Sequence, residues 1–170
     1  MGVTARGARA GAVADGCLGQ WAAVLLLLFG VSACAAGGGG PVPEAAFDPR
    51  SGQGAAAVVQ AYYELIGDHN YGDAWRLWGE GGRTSGMSES AFADSFSRYS
   101  AYHAIVGTPG RVDAGAGQRY VTVPVQVHGR MRDGQAFDMH GEVTLHRTAD
   151  IDGATAAQKR WHIRTITLEP

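Results

Sequence analysis

The chain of 170 residues predicts an α+β domain: N-terminal helices packed on a curved antiparallel β-sheet. Three observations lead there. Apolar residues recur at steps of three and four as far as Tyr99, then at steps of two from His103 onward. Two long alternating runs, Gln118 to Met131 and Ala136 to Thr148, are separated by a short glycine-containing turn. The last alternating run changes parity partway, which marks a bend in the sheet.

The first helix is read from Gly54 to Ile66, where Val58, Val59, Tyr62, Tyr63 and Ile66 share one face. Gly67-Asp68-His69-Asn70 interrupts it. A short second helix, Tyr71 to Trp78, then sets Tyr71, Ala74, Trp75 and Trp78 on one side. The glycine-rich stretch 79–86 is a loop, and Ser88 is placed to cap a third helix bearing Phe92, Phe96 and Tyr99.

A strand is expected around Ile105 and Val106, ending near Thr108-Pro109-Gly110. In the following run Val121, Val123, Val125 and Val127 alternate with Thr122, Pro124, Gln126 and His128. Its partner sets Phe137, Met139, Val143 and Leu145 against Asp138, His140, Glu142 and Thr144. The turn between them can be decided from side-chain parity. A two-residue Asp133-Gly134 turn would oppose Val127 to His140, whereas a three-residue turn with Gly134 left-handed opposes Val127 to Met139 and Val123 to Val143; the second is predicted. Pro124 has no donor, so its nitrogen must face an edge or a bulge. After a polar loop, Ala149 to Gln158, the final strand runs from Lys159 to Leu168. Trp161 and Ile163 point inward, and Ile166 and Leu168 fall on the opposite parity, which suggests a bulge or strong bend near Thr165.

The stretch Ala57-Val58-Val59-Gln60-Ala61-Tyr62-Tyr63-Glu64-Leu65-Ile66, followed by Asp68, Tyr71, Ala74-Trp75 and Leu77-Trp78, resembles the opening of NTF2-like domains. That resemblance, confined at residue level to the helices, implies a cone of helices and sheet over residues 54–170. The mouth of such a cone can hold a small molecule, and some members are isomerases or cyclases. It also implies association through the exposed side of the sheet.

The first forty residues carry a separate signal. Arg6 and Arg9 precede an apolar run, Trp21 to Val31, of signal-peptide length and too short to span a bilayer core of about 30 Å. The run ends in Val31-Ser32-Ala33-Cys34, which resembles the lipobox of bacterial lipoproteins. The resemblance implies a diacylglycerol thioether on Cys34, cleavage before it and acylation of the new amino group; several chains anchor stably where one binds only marginally. The competing reading is an ordinary secretory signal cut after Ala33, and the preceding charged region is long and includes Asp15 and Cys17. Residues 1–33 are thus expected to be the signal peptide and 34–53 the lipidated cysteine with a Gly- and Pro-rich linker. A flexible coil of that length reaches about 25 Å, keeping the domain close to the membrane. Ala35 after the lipidated cysteine resembles lipoproteins sorted to the outer membrane, so the expected location is the periplasmic face of that membrane in a host with two.

Both cysteines, Cys17 and Cys34, precede the domain, so packing alone must stabilise it. A net charge of −2 with interspersed signs argues against a nucleic-acid partner and against a polybasic lipid-binding patch. The cone is expected to be lined by Tyr62, Tyr63, Trp75, Trp78, Phe92, Phe96 and Met139, either open to an apolar ligand or simply filling the core. Asp68, Asp73 and Asp94 are the acids nearest the cone, and none sits in a catalytic pattern. A polar sheet face carrying His128, Asp138, His140, Glu142 and His162 is the candidate interaction surface, in a register that sets His128 opposite Asp138. Nothing points to a cofactor or a metal ion. The expectation is a membrane-tethered, non-catalytic binding domain for an envelope protein or glycan, with carriage of a small apolar ligand as the alternative and an isomerase-like enzyme behind it.

Overall fold

The computed structural model describes residues 47–170, so the signal segment 1–33, Cys34 and most of the expected linker lie outside the described residues. Three helices, α1 (Gly52–Gly67), α2 (Tyr71–Arg76) and α3 (Glu89–Ser95), precede five strands. The strands are β1 (Tyr99–Val106), β2 (Asp113–Gly115), β3 (Gln118–Met131), β4 (Ala136–Thr148) and β5 (His162–Glu169). The sheet is antiparallel and open, in the order β1-β3-β4-β5, with β2 paired to β3 beyond the end of β1. Helices lie on one face of it: an α+β domain with the element order that the NTF2-like resemblance implies.

Helix α1 begins at Gly52, inside the stretch 34–53 expected to be linker, because Ser51 caps it: its hydroxyl accepts from the Gly54 N–H at 3.1 Å. Ala55, Val59, Tyr62, Tyr63 and Ile66 form its buried face. The helix stops where His69 turns left-handed at φ 61°. Helix α2 is shorter than its periodicity suggested, ending at Arg76. Leu77 and Trp78 leave it to meet the sheet: Ile163 N–H donates to the Leu77 carbonyl at 3.0 Å, and Trp78 forms a parallel bridge with Ile163. This connection covers the free edge of β5 at Ile163. Ser88 caps α3 through the Ala91 N–H at 3.2 Å. Tyr99, expected on that helix, instead opens β1, since Phe96 ends the helix and the chain becomes extended three residues later.

The hairpin register is the expected one. Val127 pairs with Met139, Val123 with Val143 and His128 with Asp138, across a turn of Arg132, Asp133 and Gly134, the last at φ 90°. Pro124 also sits as its chemistry demands. Its carbonyl accepts from the Gly107 N–H at 2.8 Å, so its donor-less nitrogen faces the same side, where β1 has already ended at Val106. In β5 the register shifts between Thr144 and Leu145, whose partners are Thr165 and Ile163. Arg164 is the extra residue, and Ile163, Ile166 and Leu168 consequently all face the core. Val121, Val123, Val127, Val143, Leu145 and Ile163 close against Val59, Tyr62 and Ile66, each side chain contributing about 1.5–3 kcal/mol on burial.

Candidate functional site

The interior comes first, because helices and sheet converge there. Tyr62 lies against Tyr63, Phe92 and Trp78 at ring separations of 5.0, 6.4 and 6.5 Å, mostly edge to face. Phe92 meets Phe96 at 5.2 Å. Phe96 in turn stacks on Tyr71 at 5.5 Å and meets Tyr102 edge-on at 5.4 Å. Tyr102 continues to Tyr63 and Phe137. Tyr62, Tyr63 and Phe92 are buried, while Trp78, Phe96 and Met139 pack against the core partly covered. A cavity beside this cluster, between Ile66, Tyr71, Phe96 and Tyr102, measures about 10 Å³, at the lower limit for a single water. Trp75 is held differently. Its indole N–H donates to Ser85 Oγ and the Met87 carbonyl, both at 3.1 Å, which pins the loop 79–86 over the ring.

Burial raises the Tyr62 phenol well above its ordinary pKa, with Tyr63 and Tyr102 adding to the effect. Burial likewise raises Tyr63 and Tyr102. Two buried polar atoms in this region, Tyr63 Oη and Trp78 Nε1, have no hydrogen-bond partner. The acids that could serve proton transfer stand elsewhere. Asp68 caps the end of α1, Asp73 pairs with Arg76 and receives the Asn70 amide at 2.7 Å, and Asp94 is exposed on α3. Among the described residues the one buried charged side chain is Arg147, which reaches Asp150 at 3.5 Å and lies over Trp161.

The outer sheet face collects four of the five residues expected on it. His128 sits opposite Asp138, and His140 and Glu142 follow Asp138 at alternate positions of β4. Gln126 reaches across to Asp138, with amide-to-carboxylate distances of 3.1 and 3.3 Å. His103, which sequence reasoning missed, joins them from β1, its ring 5.8 Å from that of His128. The signal was alternation, lost because β1 starts at Tyr99, six residues before the Ile105 start that the sequence suggested. Next to this cluster is an open groove of about 630 Å³, formed by Ile105, Pro124, His140, Glu142 and Thr167. Ile105 is 58% exposed there, a large apolar side chain on a polar surface. No group of three or more His, Cys, Asp or Glu among the described residues is arranged to hold a metal ion.

His162 does not belong to that cluster. It pairs with His146 near the other end of β4, six residues or about 20 Å along the strand from His140. Its Nε2 lies 2.9 Å from the Ala157 carbonyl. His146 stacks on Tyr120, and its pKa is lowered by burial, then by Arg164 and His162, against an opposing pull from Glu80.

No family model matches the chain, and a search of curated proteins finds no match. Solved structures with a similar fold include the Kfla4162 protein from Kribbella flavida, at 15% identity over 67% of this chain and 86% of that one, TM-score 0.48. An NTF2-like superfamily protein from Salmonella enterica is 13% identical over 69% and 89%, TM-score 0.47. A scytalone dehydratase-like protein from Novosphingobium aromaticivorans is 11% identical over 66% and 78%, TM-score 0.41. At these identities and scores nothing about activity passes from those proteins to this chain.

Proposed function

We propose that this chain is an envelope lipoprotein, tethered through lipid on Cys34, whose folded domain binds an envelope protein or glycan without catalysing a reaction. The observation that carries this reading is the groove beside the polar cluster on the outer sheet face. Tyr62, Tyr63 and Phe92 are buried in the aromatic interior, each 3% exposed, while the face bearing His128, Asp138, His140 and Glu142 adjoins a groove of about 630 Å³. Imidazoles, carboxylates and an amide beside an exposed Ile105 supply both hydrogen bonds and an apolar contact, the mixture found at protein and glycan interfaces. In a host with two membranes the location that fits is the periplasmic face of the outer one.

The test is native mass spectrometry of the chain after incubation with an envelope extract from the source cell. A glycan or protein adduct that disappears on combining Asp138→Ala with His140→Ala supports the reading. An adduct unaffected by those changes rules out this face. The mass of the mature N-terminal peptide decides the anchor separately: acyl chains on Cys34 support it, and an unmodified thiol rejects it.

The alternative reading, carriage of a small apolar ligand, draws on one observation. Tyr63 Oη and Trp78 Nε1 are buried donors with no partner, and a ligand bringing an acceptor to either would gain a hydrogen bond there. It predicts a small-molecule adduct that survives changes on the outer face and is lost on Trp78→Phe.

A further inference from the structure

A second concavity, of about 640 Å³, lies between the start of α1, the end of α2 and the loop entering β5. Val58, Leu77 and Trp161 form an apolar part of its wall, and Arg50, Arg76, Lys159 and Arg160 also line it. Asp150 is shared between Arg50 and Arg147, at 3.5 Å from each, and Asp73 pairs with Arg76. Lys159 and Arg160 have no carboxylate within 4.0 Å among the described residues. Four cations (Arg50, Arg76, Lys159, Arg160) line the groove; Asp48, which accepts from the Arg50 N–H at 2.9 Å, Asp150 and Asp73 stand beside the first two, and Lys159 and Arg160 are the cations without a carboxylate among the described residues. The ring of His162 stands at the same wall with its Nδ1 buried and unpartnered.

An apolar wall among unbalanced cations fits an anion carried on an apolar body. The position of the groove narrows the source. Pro49 and Arg50 line it, at the root of the domain, and Phe47, 61% exposed, precedes them. An exposed aromatic close in sequence to a basic cluster is a combination that suits a membrane interface.

We propose that this groove docks the anionic headgroup of a phospholipid in the membrane that holds the chain, with Phe47 entering the interface beside it. The source of the lipid rests on the tethered reading above; the binding chemistry does not. Docking would hold the root of the domain against the bilayer and fix which faces point away from it.

The test titrates the full chain with dihexanoylphosphatidylglycerol kept below its micelle concentration, in parallel with dihexanoylphosphatidylcholine and sodium phosphate, reading tryptophan fluorescence and amide chemical shifts. Saturable binding of the anionic lipid is expected, about tenfold weaker for the zwitterionic lipid and for the Lys159→Glu/Arg160→Glu double variant. Both residues lie near the surface, so an unchanged melting temperature should show that the variant folds. Equal binding of the two lipids, or undiminished binding by the folded variant, overturns the proposal. Inorganic phosphate competing as well as the lipid also overturns it, by making a free anion the occupant. Because the probes are soluble, a failure here alongside an acylated Cys34 rejects the groove alone, and lipid binding with an unmodified Cys34 rejects the tether alone.

Discussion

The Trp161 indole N–H donates to the Ser51 carbonyl at 3.0 Å, joining two residues 110 positions apart. Ser51 is also the residue whose hydroxyl caps α1, so one residue fixes both the helix start and the entry of the chain into β5. On its other side the ring lies under the Arg147 guanidinium, 5.3 Å from the ring centre. Trp161→Phe keeps most of the burial and removes one of the two donors to the Ser51 carbonyl, which retains the Ala55 N–H at 3.1 Å, an expected loss of about 0.5–1.5 kcal/mol. Trp161→Ala removes the ring as well and should cost about 3–5 kcal/mol. Urea unfolding of the two variants would separate the terms; a Trp161→Phe variant as stable as the parent would mean that the hydrogen bond contributes nothing measurable.

Gly82 and Gly134 share a left-handed backbone, at φ 94° and 90°, but not their surroundings. A Cβ at Gly134 meets nothing within 4 Å, whereas one at Gly82 would sit 2.2 Å from the Trp75 ring. Gly134→Ala should therefore cost about 1 kcal/mol, the backbone term alone. Gly82→Ala must also move the loop 79–86 off Trp75 and should cost clearly more, with a shift in tryptophan emission as Trp75 is uncovered. Similar losses at both sites would show that the loop yields without strain.

His146 gives stability a pH dependence whose sign follows from its surroundings. Burial, Arg164 and His162 lower its pKa, so the unfolded chain takes up the proton first as pH falls. The neutral form's stability is intact above the ordinary histidine value of about 6.5 and declines as pH drops through it towards the folded value. His146→Gln should flatten the slope of unfolding free energy between roughly pH 7 and 5. An unchanged slope would assign the acid sensitivity to other groups.

What could be read from the sequence depended on how many local constraints met at one place. The β3–β4 register was legible because side-chain parity and the turn around Gly134 allow the same pairing and exclude its neighbour. The parity change between Ile163 and Ile166 announced the bulge at Arg164 in the same way. The start of β1 was not legible, since Tyr99 continues the helical spacing of Phe92 and Phe96, and the strand is decided by pairing with Met131, far along the chain. Strand β2, three exposed residues, has no apolar pattern to read. Four of the five outer-face residues followed from the hairpin alone, but His103 needed the β1 register and His162 lies too far along the sheet. The basic groove draws Arg50, Arg76 and Arg160 from separate segments, so no window of sequence contains it.

The tyrosines offer an alkaline counterpart to His146. Tyr62, Tyr63 and Tyr102 are raised chiefly by burial, so each phenol holds its proton more tightly folded than unfolded. Their contribution to stability is complete below the ordinary tyrosine value of about 10 and is lost as pH rises above it, because the unfolded chain ionises first. Of the six tyrosines in the chain, these three should therefore yield phenolate absorbance only as the fold is lost. Following ultraviolet absorbance and far-ultraviolet circular dichroism in one alkaline titration checks this, and Tyr62→Phe should shift the unfolding midpoint to higher pH. Six phenolates appearing while the circular dichroism stays native would mean that solvent reaches the aromatic cluster. That outcome would favour an open cone and the ligand-carrier reading over the filled one.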